Sequence, residues 1–277
     1  MSNHVNAALL KGVIDLHVHS APDTAKRTYS DIELANAMKK VGARAVVIKS
    51  HSVPTMDRAL IAREVTGFEV YGALALNRAV GGFNPWAVEN AIKMGAKIIW
   101  MPTFDADYFQ KRLGKSGLRA VVDNHLAEHV EDILKLIAGA NILLATGHIG
   151  PDEQLILIER AKELGVQKIM VDHPEQAFMQ ISVAQQKEMI EKFGVYVERC
   201  CAYTKDFDRA YEISAAAINE LGYQSTVIAT DAGVTKLPPW EELMTEYLEA
   251  MLALGISQDK IDVMVKKNPA YLLGLEN

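Results

Sequence analysis

The 277-residue sequence contains only two cysteines, and these are adjacent, Cys200 and Cys201. Two neighbouring cysteines do not make the disulfide framework of a small secreted domain. The longest apolar runs fall far short of the roughly 20 residues that span a bilayer. The N-terminus lacks a charged segment followed by an apolar core, so no signal peptide is expected. These absences predict a cytoplasmic protein without a membrane partner.

A concentrated basic segment is also missing. The formal net charge is −6, and charges of both signs are spread along the chain. Nucleic-acid-binding surfaces need a basic cluster, so we expect a small-molecule substrate and no nucleic-acid partner. No Pro/Ser-rich linker or shift in composition marks a boundary, which predicts one domain over residues 1–277. The sequence leaves a homo-oligomer open.

Short apolar runs alternate with amphipathic segments along the whole chain. The runs are rich in Val and Ile and lack polar alternation, which is typical of strands buried on both faces. Several intervening segments end in glycine before the next run, at Gly42, Gly165, Gly194 and Gly222, as helix-to-strand turns do. The eight candidate strands are GVIDLHV, ARAVVIKS, FEVYGALAL, AKIIWMPT, NILLATG, QKIMVDH, GVYVERC and STVIATD.

Eight βα units predict an α/β fold of the (β/α)8 TIM-barrel type. The segment after the eighth strand, WEELMTEYLEAMLALG, carries a helical apolar stripe, and the closing DKIDVMVKKNPAYLLGL predicts an extra C-terminal helix broken at Pro269. One connection is long, from residue 104 to residue 124. It is either a solvated loop or a lid over the barrel mouth, because long ordered loops are often functional.

Polar residues end several of the predicted strands, where a TIM barrel carries its chemistry. His17 and His19 are two residues apart, so they share one face of the first strand. Asp231 ends the eighth strand. Imidazole and carboxylate are ligands for zinc, manganese and iron, so the pattern predicts a metal site. Five of the eight histidines fall at or just beyond predicted strand ends: His17, His19, His51, His148 and His173.

Further candidates lie near the same edge. Lys49 ends the second strand, where it could bind a substrate carboxylate or phosphate. Asp15 is expected to share the inward face with His17, one layer deeper, as a supporting partner or a buried structural acid. Tyr203 and Lys205 follow the seventh strand and are further candidates. The predicted substrate-binding set is Lys49, His51, Arg27, Asn77 and Arg78.

Several motifs resemble the amidohydrolase superfamily of metal-dependent TIM-barrel enzymes. They are DLHVH, TGHIG, VDHP, ATDAG and the closing NPAYLLGL, and the resemblance covers nearly the whole chain. More narrowly, HSAPD, VIKSHSVPT, ALNRAVGGFNP and WMPT resemble a poorly characterised group of amidohydrolase-like proteins. The resemblance implies a hydrolase that uses a metal-activated water to attack an amide, ester or lactone bond of a small molecule. Lys49, Arg27 and Arg78 predict that this substrate is anionic or sugar-like.

The resemblance also implies a ligand set. It assigns His17, His19 and Asp231 to a first metal and His148 to either of two metals. The superfamily's common two-metal pattern has a carboxylated lysine or a glutamate at the end of the fourth strand, where this sequence has WMPTFDA, with Asp105 the nearest acid. Because this bridging residue is missing, one metal ion is favoured. Zinc is the preferred ion, with manganese or iron as alternatives. A carboxylated Lys49 would instead support a second metal.

The same resemblance gives roles to two residues and leaves alternatives open. Asp231 would move the proton of the water to the leaving group. His173 would polarise the scissile bond or bind a second metal. The same parts would serve a decarboxylase or an isomerase, and a barrel that only binds a metal or ligand is possible. DLHVHS also opens phosphoesterases of the polymerase-and-histidinol-phosphatase type, although the late TDAG lacks their following histidine.

Overall fold

The computed structural model describes residues 4–200 and 209–275. Cys201, Tyr203 and Lys205 therefore lie outside the described residues. The strands are β1 Ile14–His19, β2 Ala45–Lys49, β3 Glu69–Tyr71, β4 Ala73–Ala75, β5 Ile98–Trp100, β6 Val121–Val122, β7 His125–Leu126, β8 Leu143–Ala145, β9 Ile169–Val171, β10 Tyr196–Cys200 and β11 Thr226–Ala229.

Helices fill most of the connections between these strands. A 3₁₀ turn spans Arg78–Val80, and a π-helical turn spans Val263–Lys267. The α-helices are α1 Ala7–Leu10, α2 Asp31–Lys40, α3 Met56–Thr66, α4 Pro85–Lys93, α5 Asp107–Lys111, α6 Val130–Ala140, α7 Pro151–Glu163, α8 Val183–Phe193, α9 Ala210–Leu221, α10 Trp240–Ala253, α11 Gln258–Asp262 and α12 Asn268–Leu273. Helix α10 follows the eighth strand of the ring, and the extra C-terminal helix expected from the sequence consists of α11, the π-helical turn and α12, with Pro269 in the first turn of α12.

The parallel strands follow one another around a ring in chain order. Strands β1, β2 and β3 form one sheet, and β4, β5, β8, β9, β10 and β11 form another. Strands β3 and β4 are two halves of the segment 69–75, which therefore belongs to both sheets. At the other seam the His19 N–H donates to the Ala232 carbonyl at 2.8 Å, and the Asp231 N–H donates to the His17 carbonyl at 2.9 Å. This is the strand order of the predicted TIM barrel.

Capping residues fix where two of the outer helices begin. The Ser30 side chain accepts a hydrogen bond from the Glu33 N–H, and the Glu33 carboxylate accepts one from the Ser30 N–H. Ser182 and Gln185 form the same capping box at α8. Each such cap stabilises its helix by about 1 kcal/mol.

The apolar core lies in two layers. Inside the ring, alternate strand residues such as Leu16, Val47 and Trp100 pack together, and α12 contributes Leu272 to the same cluster. Between the ring and the helices, Val18 and other outward strand residues pack against helical side chains. Among the described residues, no helix is both long and apolar enough to cross a membrane.

Candidate metal centre

A shift in strand β1 turns both histidines of its His-x-His motif into the barrel. Asp15 pairs with Val46 and Val18 pairs with Ile48, so β1 has two residues between these pairs where β2 has one. Such an extra residue changes which side chains face inward. Leu16 therefore packs inside the ring before the shift, and His17 and His19 line the mouth after it.

The same shift corrects the expectation for Asp15. Asp15 does not share the inward face with His17: its Oδ2 accepts hydrogen bonds from Trp240 Nε1 at 2.8 Å and from Thr230 Oγ1 at 2.7 Å, in the outer layer. Its Oδ1 accepts the His17 N–H at 3.0 Å, so Asp15 supports the backbone of the histidine motif. Burial raises the pKa of Asp15 to about 6 in spite of these hydrogen bonds.

His17, His19 and Asp231 converge at the seam between the first and last strands. Asp231 Oδ1 lies 3.1 Å from His17 Nε2 and 3.3 Å from His19 Nε2. One ligand atom from each residue lies within 4.8 Å of the other two, and all three residues are buried. This geometry suits a single cation held by two imidazoles and a carboxylate.

A second group shares His17 and adds a residue that the sequence analysis missed. His17, His173 and Glu198 also place ligand atoms within 4.8 Å of one another. Glu198 is fully buried, and its two carboxylate oxygens lie 3.1 and 3.2 Å from His17 Nδ1. A glutamate inside the apolar run GVYVERC was the available signal, because a charge in a buried strand needs a partner.

Asp231 and His173 share an unusual backbone conformation. Their φ angles are 52° and 26°, in the left-handed region that β-carbon-bearing residues rarely adopt. Such strain costs about 1–3 kcal/mol and persists where the surrounding structure holds it. Both predicted catalytic residues therefore carry strained backbone.

Lys49 lies deep in the centre, below the histidines. Its Nζ lies 2.9 Å from His17 Nε2 and 4.6 Å from the centre of the Trp100 ring. Trp100 Nε1 in turn donates to Asp172 Oδ1 at 3.2 Å. The second strand thus supplies a buried cation directly beside the metal-ligand candidates.

His148 lies outside both compact groups but close to them. Its ring centre is 5.1 Å from that of His173 and 6.0 Å from that of His51. Among the described residues, the buried Nδ1 atoms of His148 and His173 have no hydrogen-bond partner. Buried polar atoms are nearly always paired. These two nitrogens are therefore suited to contact a bound cation or ligand.

Burial decides the charge of most histidines in the centre. It lowers the pKa of His19 and of His173 to about 4, and it holds that of His148 well below its usual value. Burial would also lower the pKa of His17, but the Asp231 and Glu198 carboxylates raise it to about 10. His19, His148 and His173 are therefore neutral near pH 7 and present lone pairs to a cation.

The Asp231 carboxylate is held in its charged form. Burial would raise its pKa, but His17 and His19 keep that pKa well below the usual value. The other oxygen, Oδ2, lies 3.5 Å from Gln176 Nε2. Asp231 can therefore act both as a ligand and as a proton acceptor.

A cavity lies in front of His17, His19 and Asp231, and the predicted substrate-binding residues do not all line it. Lys49, His51 and Arg27 line it, whereas Asn77 and Arg78 do not. Asn77 is buried and ties loops together, since its amide nitrogen donates to the His51 carbonyl at 2.8 Å. The Arg78 side chain is 53% exposed and pairs with Asp105.

Solved structures of hydrolases share this fold. Organophosphorus hydrolase from Deinococcus radiodurans matches with a TM-score of 0.62 and 15% identity, covering 98% of this chain and 94% of that chain. An amidohydrolase from Pseudomonas aeruginosa matches with a TM-score of 0.66 and 13% identity, covering 96% and 97%. A structure from the engineering of organophosphate hydrolysis activity in a weak promiscuous lactonase template gives 0.62 and 16%, covering 98% and 97%.

These likenesses confirm the TIM-barrel fold expected from the sequence. By sequence, residues 12–198 match the family described as "Family of unknown function (DUF6282)", and the chain belongs to that family. A comparison with curated proteins gave no match.

Proposed function

We propose that this protein is a metal-dependent hydrolase of small molecules. The observation that carries the proposal is the convergence of His17 Nε2, His19 Nε2 and Asp231 Oδ1 at the mouth of an amidohydrolase-type barrel. The neighbouring unpaired nitrogens of His148 and His173 support it. An amide, ester or lactone bond is the proposed point of attack.

His17, His19 and Asp231 would hold one divalent cation, with zinc the first choice and manganese or iron the alternatives. When bound, such a cation lowers the pKa of a coordinated water and polarises a carbonyl or phosphoryl oxygen. Glu198 would act on the cation through His17. His17 would have to release its Nε2 proton to present a lone pair, and an Nδ1–H donated to Glu198 would then fix the orientation of its ring.

Proton transfer falls to residues already present at the mouth. Asp231 is charged and would accept the proton of the attacking water, then pass it to the leaving group. Gln176 holds the other carboxylate oxygen and so limits rotation of this base. His173 would either polarise the bond under attack or help hold a second cation.

Lys49 decides how many cations the centre holds. A lysine ammonium 2.9 Å from His17 Nε2 repels a cation near that nitrogen. We favour one cation, with Lys49 shifting toward Trp100 when it binds. Carboxylation of Lys49 would instead turn the repulsion into ligation and support two cations.

Metal analysis and an activity screen test the proposal. We expect about one equivalent of zinc or manganese per chain and hydrolysis of some member of an amide, ester and lactone panel. A His17→Ala/His19→Ala variant and Asp231→Asn should lose both, whereas His125→Ala, at an exposed histidine in β7, should keep both. A wild-type protein with no more metal than the double variant would overturn the proposal. Two equivalents, falling to one in Lys49→Met, would establish the carboxylated form.

A further inference from the structure

We propose that the substrate places a compact, uncharged apolar group, about the size of one aromatic ring, against a wall of three phenylalanines. The wall consists of Phe104, Phe109 and Phe178, which line the cavity in front of the candidate metal centre. This inference rests on the proposed hydrolase function and names its substrate class. It departs from the anionic substrate expected from the sequence.

The three rings form one continuous apolar surface that reaches the candidate ligands. The centres of the Phe104 and Phe109 rings are 5.3 Å apart, and those of Phe109 and Phe178 are 5.4 Å apart. The Phe178 ring lies 4.8 Å from His148 and 5.4 Å from His173. A group on this wall therefore lies beside the atoms where a bond would be attacked.

Each ring keeps part of its surface open to the cavity. Phe104 is 47% exposed, and Phe109 and Phe178 are only partly buried. Leaving clustered aromatic surface in contact with water is unfavourable. An apolar group of a ligand would remove that surface from water, which is the physical reason to assign the wall to substrate.

The two cationic side chains at the mouth, Arg27 and Lys49, already have partners, so they do not form a binding site for an anion. Arg27 donates to the Asp23 carboxylate through Nε at 2.9 Å and Nη2 at 2.8 Å. Lys49 faces His17 and Trp100. Neither cation of the described lining is therefore placed to pair with an anionic group on the wall, which favours an uncharged group there.

The size of the cavity limits that substrate to a small molecule. Its volume is about 300 Å³, at the lower end of the range for ligand pockets. Because a water molecule occupies about 30 Å³ in the liquid, this volume corresponds to roughly ten non-hydrogen atoms. A ring and one ester, amide or lactone group fill it.

Paired neutral and anionic probes test the wall directly, without any turnover. Benzamide and benzoate have the same shape and differ in charge, and acetamide lacks the ring. We expect the metal-loaded protein to bind benzamide about tenfold more tightly than acetamide or benzoate, as measured by ligand-observed NMR. Phe109→Ala and Phe178→Ala should each abolish the preference for benzamide over acetamide, whereas Leu113→Ala, at an exposed residue that follows α5, should leave it intact.

Hydrolysis of phenyl acetate and methyl acetate provides the second arm. We expect the ratio of kcat/KM for phenyl acetate to that for methyl acetate to fall about tenfold in Phe109→Ala. Phe109→Leu, which keeps apolar volume, covers the case in which alanine prevents folding, and it should give an intermediate loss. Preferential binding of benzamide without any hydrolysis would support the role of the phenylalanine wall and contradict the proposed hydrolase function. Hydrolysis with equal binding of all three probes, or with benzoate preferred, would contradict the role of the phenylalanine wall and would still support the hydrolase function.

Discussion

The Glu198 carboxylate lies 3.1 Å from Nδ1 of His17, while Asp231 lies 3.1 Å from Nε2 on the other side of the same ring. One imidazole is thus held between two buried carboxylates that come from different strands. Asp231 is shared with His19, whereas Glu198 contacts the far nitrogen of His17 and bears on the His17–His19–Asp231 position through that ring. Its contribution can therefore be measured separately.

We expect Glu198→Gln to weaken zinc binding by about 10–100-fold, because loss of a carboxylate behind a ligating histidine costs that much affinity. Competition with a chromophoric chelator measures the affinity. Glu188→Gln, at an exposed position on α8, serves as the control. Equal affinities in the wild type and Glu198→Gln would show that Glu198 does not act through His17.

Gly233 allows the backbone after Asp231 to pass against His19. A Cβ atom built on Gly233 would lie 1.8 Å from the His19 carbonyl oxygen, and its φ is +114°. We expect Gly233→Ala to lower the free energy of unfolding by about 3 kcal/mol or more, since the backbone must shift as well as strain. Denaturant unfolding measures this loss.

Gly165→Ala provides the matched control for that clash. Gly165 also has a positive φ, +91°, but no atom lies within 4 Å of an added Cβ. We expect a loss of only about 1 kcal/mol there, from the left-handed backbone alone. Equal losses at the two glycines would mean that close approach to His19 carries no cost.

Asp107 makes the stability of the long connection depend on pH. Burial would raise its pKa, but Lys111 and the Gly117 N–H, which lie 2.8 and 2.9 Å from its oxygens, hold it below the usual value of 3.8. A lowered pKa stabilises the folded state above pH 3.8, and this stabilisation is lost as the pH falls through the folded-state pKa.

We expect Asp107→Asn to lower the free energy of unfolding by about 1 kcal/mol at pH 7. The gap between variant and wild type should shrink as the pH falls below 3.8, and unfolding curves at pH 7 and pH 3 measure it. Asp152→Asn, at an exposed aspartate in the first turn of α7, is the control. A gap that is the same at both pH values would contradict the charge-based account.

Two hydrogen bonds join the loops that carry the phenylalanine wall. Tyr108 donates to the Met179 carbonyl and Arg112 donates to the Ala177 carbonyl, both at 3.1 Å. We expect Tyr108→Phe or Arg112→Ala to speed amide hydrogen exchange about fivefold in residues 104–118 and 176–181 together, since each bond contributes about 1 kcal/mol. Lys115→Ala should change neither segment. Faster exchange in one segment alone would show that the loops are independent.

The sequence predicted the barrel and much of the centre because both follow from regular patterns. Eight buried runs separated by helices predict a barrel of parallel strands. Residues at the carboxyl ends of those strands then lie together at the barrel mouth. His17, His19 and Asp231 could be expected together for this reason.

Other features depend on local departures from regularity, which a pattern does not reveal. The extra residue in β1 turned Asp15 to the outer layer, where it accepts a hydrogen bond from Trp240. Glu198 lies in the middle of β10, whereas the pattern predicts site residues at strand ends. The assembly of Phe104, Phe109 and Phe178 requires two loops to meet, and loop conformation is set by tertiary contacts such as those of Tyr108.

The seam between β1 and the segment after β11 also sets the order of events in biosynthesis. A growing chain emerges N-terminus first, so His17 and His19 leave the ribosome long before Asp231. The backbone bonds that close the ring are made by Asp231 and Ala232 themselves. Ring closure and completion of the three-residue donor set are therefore one event, which requires the chain to have been made through Ala232. A shorter nascent chain lacks the finished arrangement of His17, His19 and Asp231.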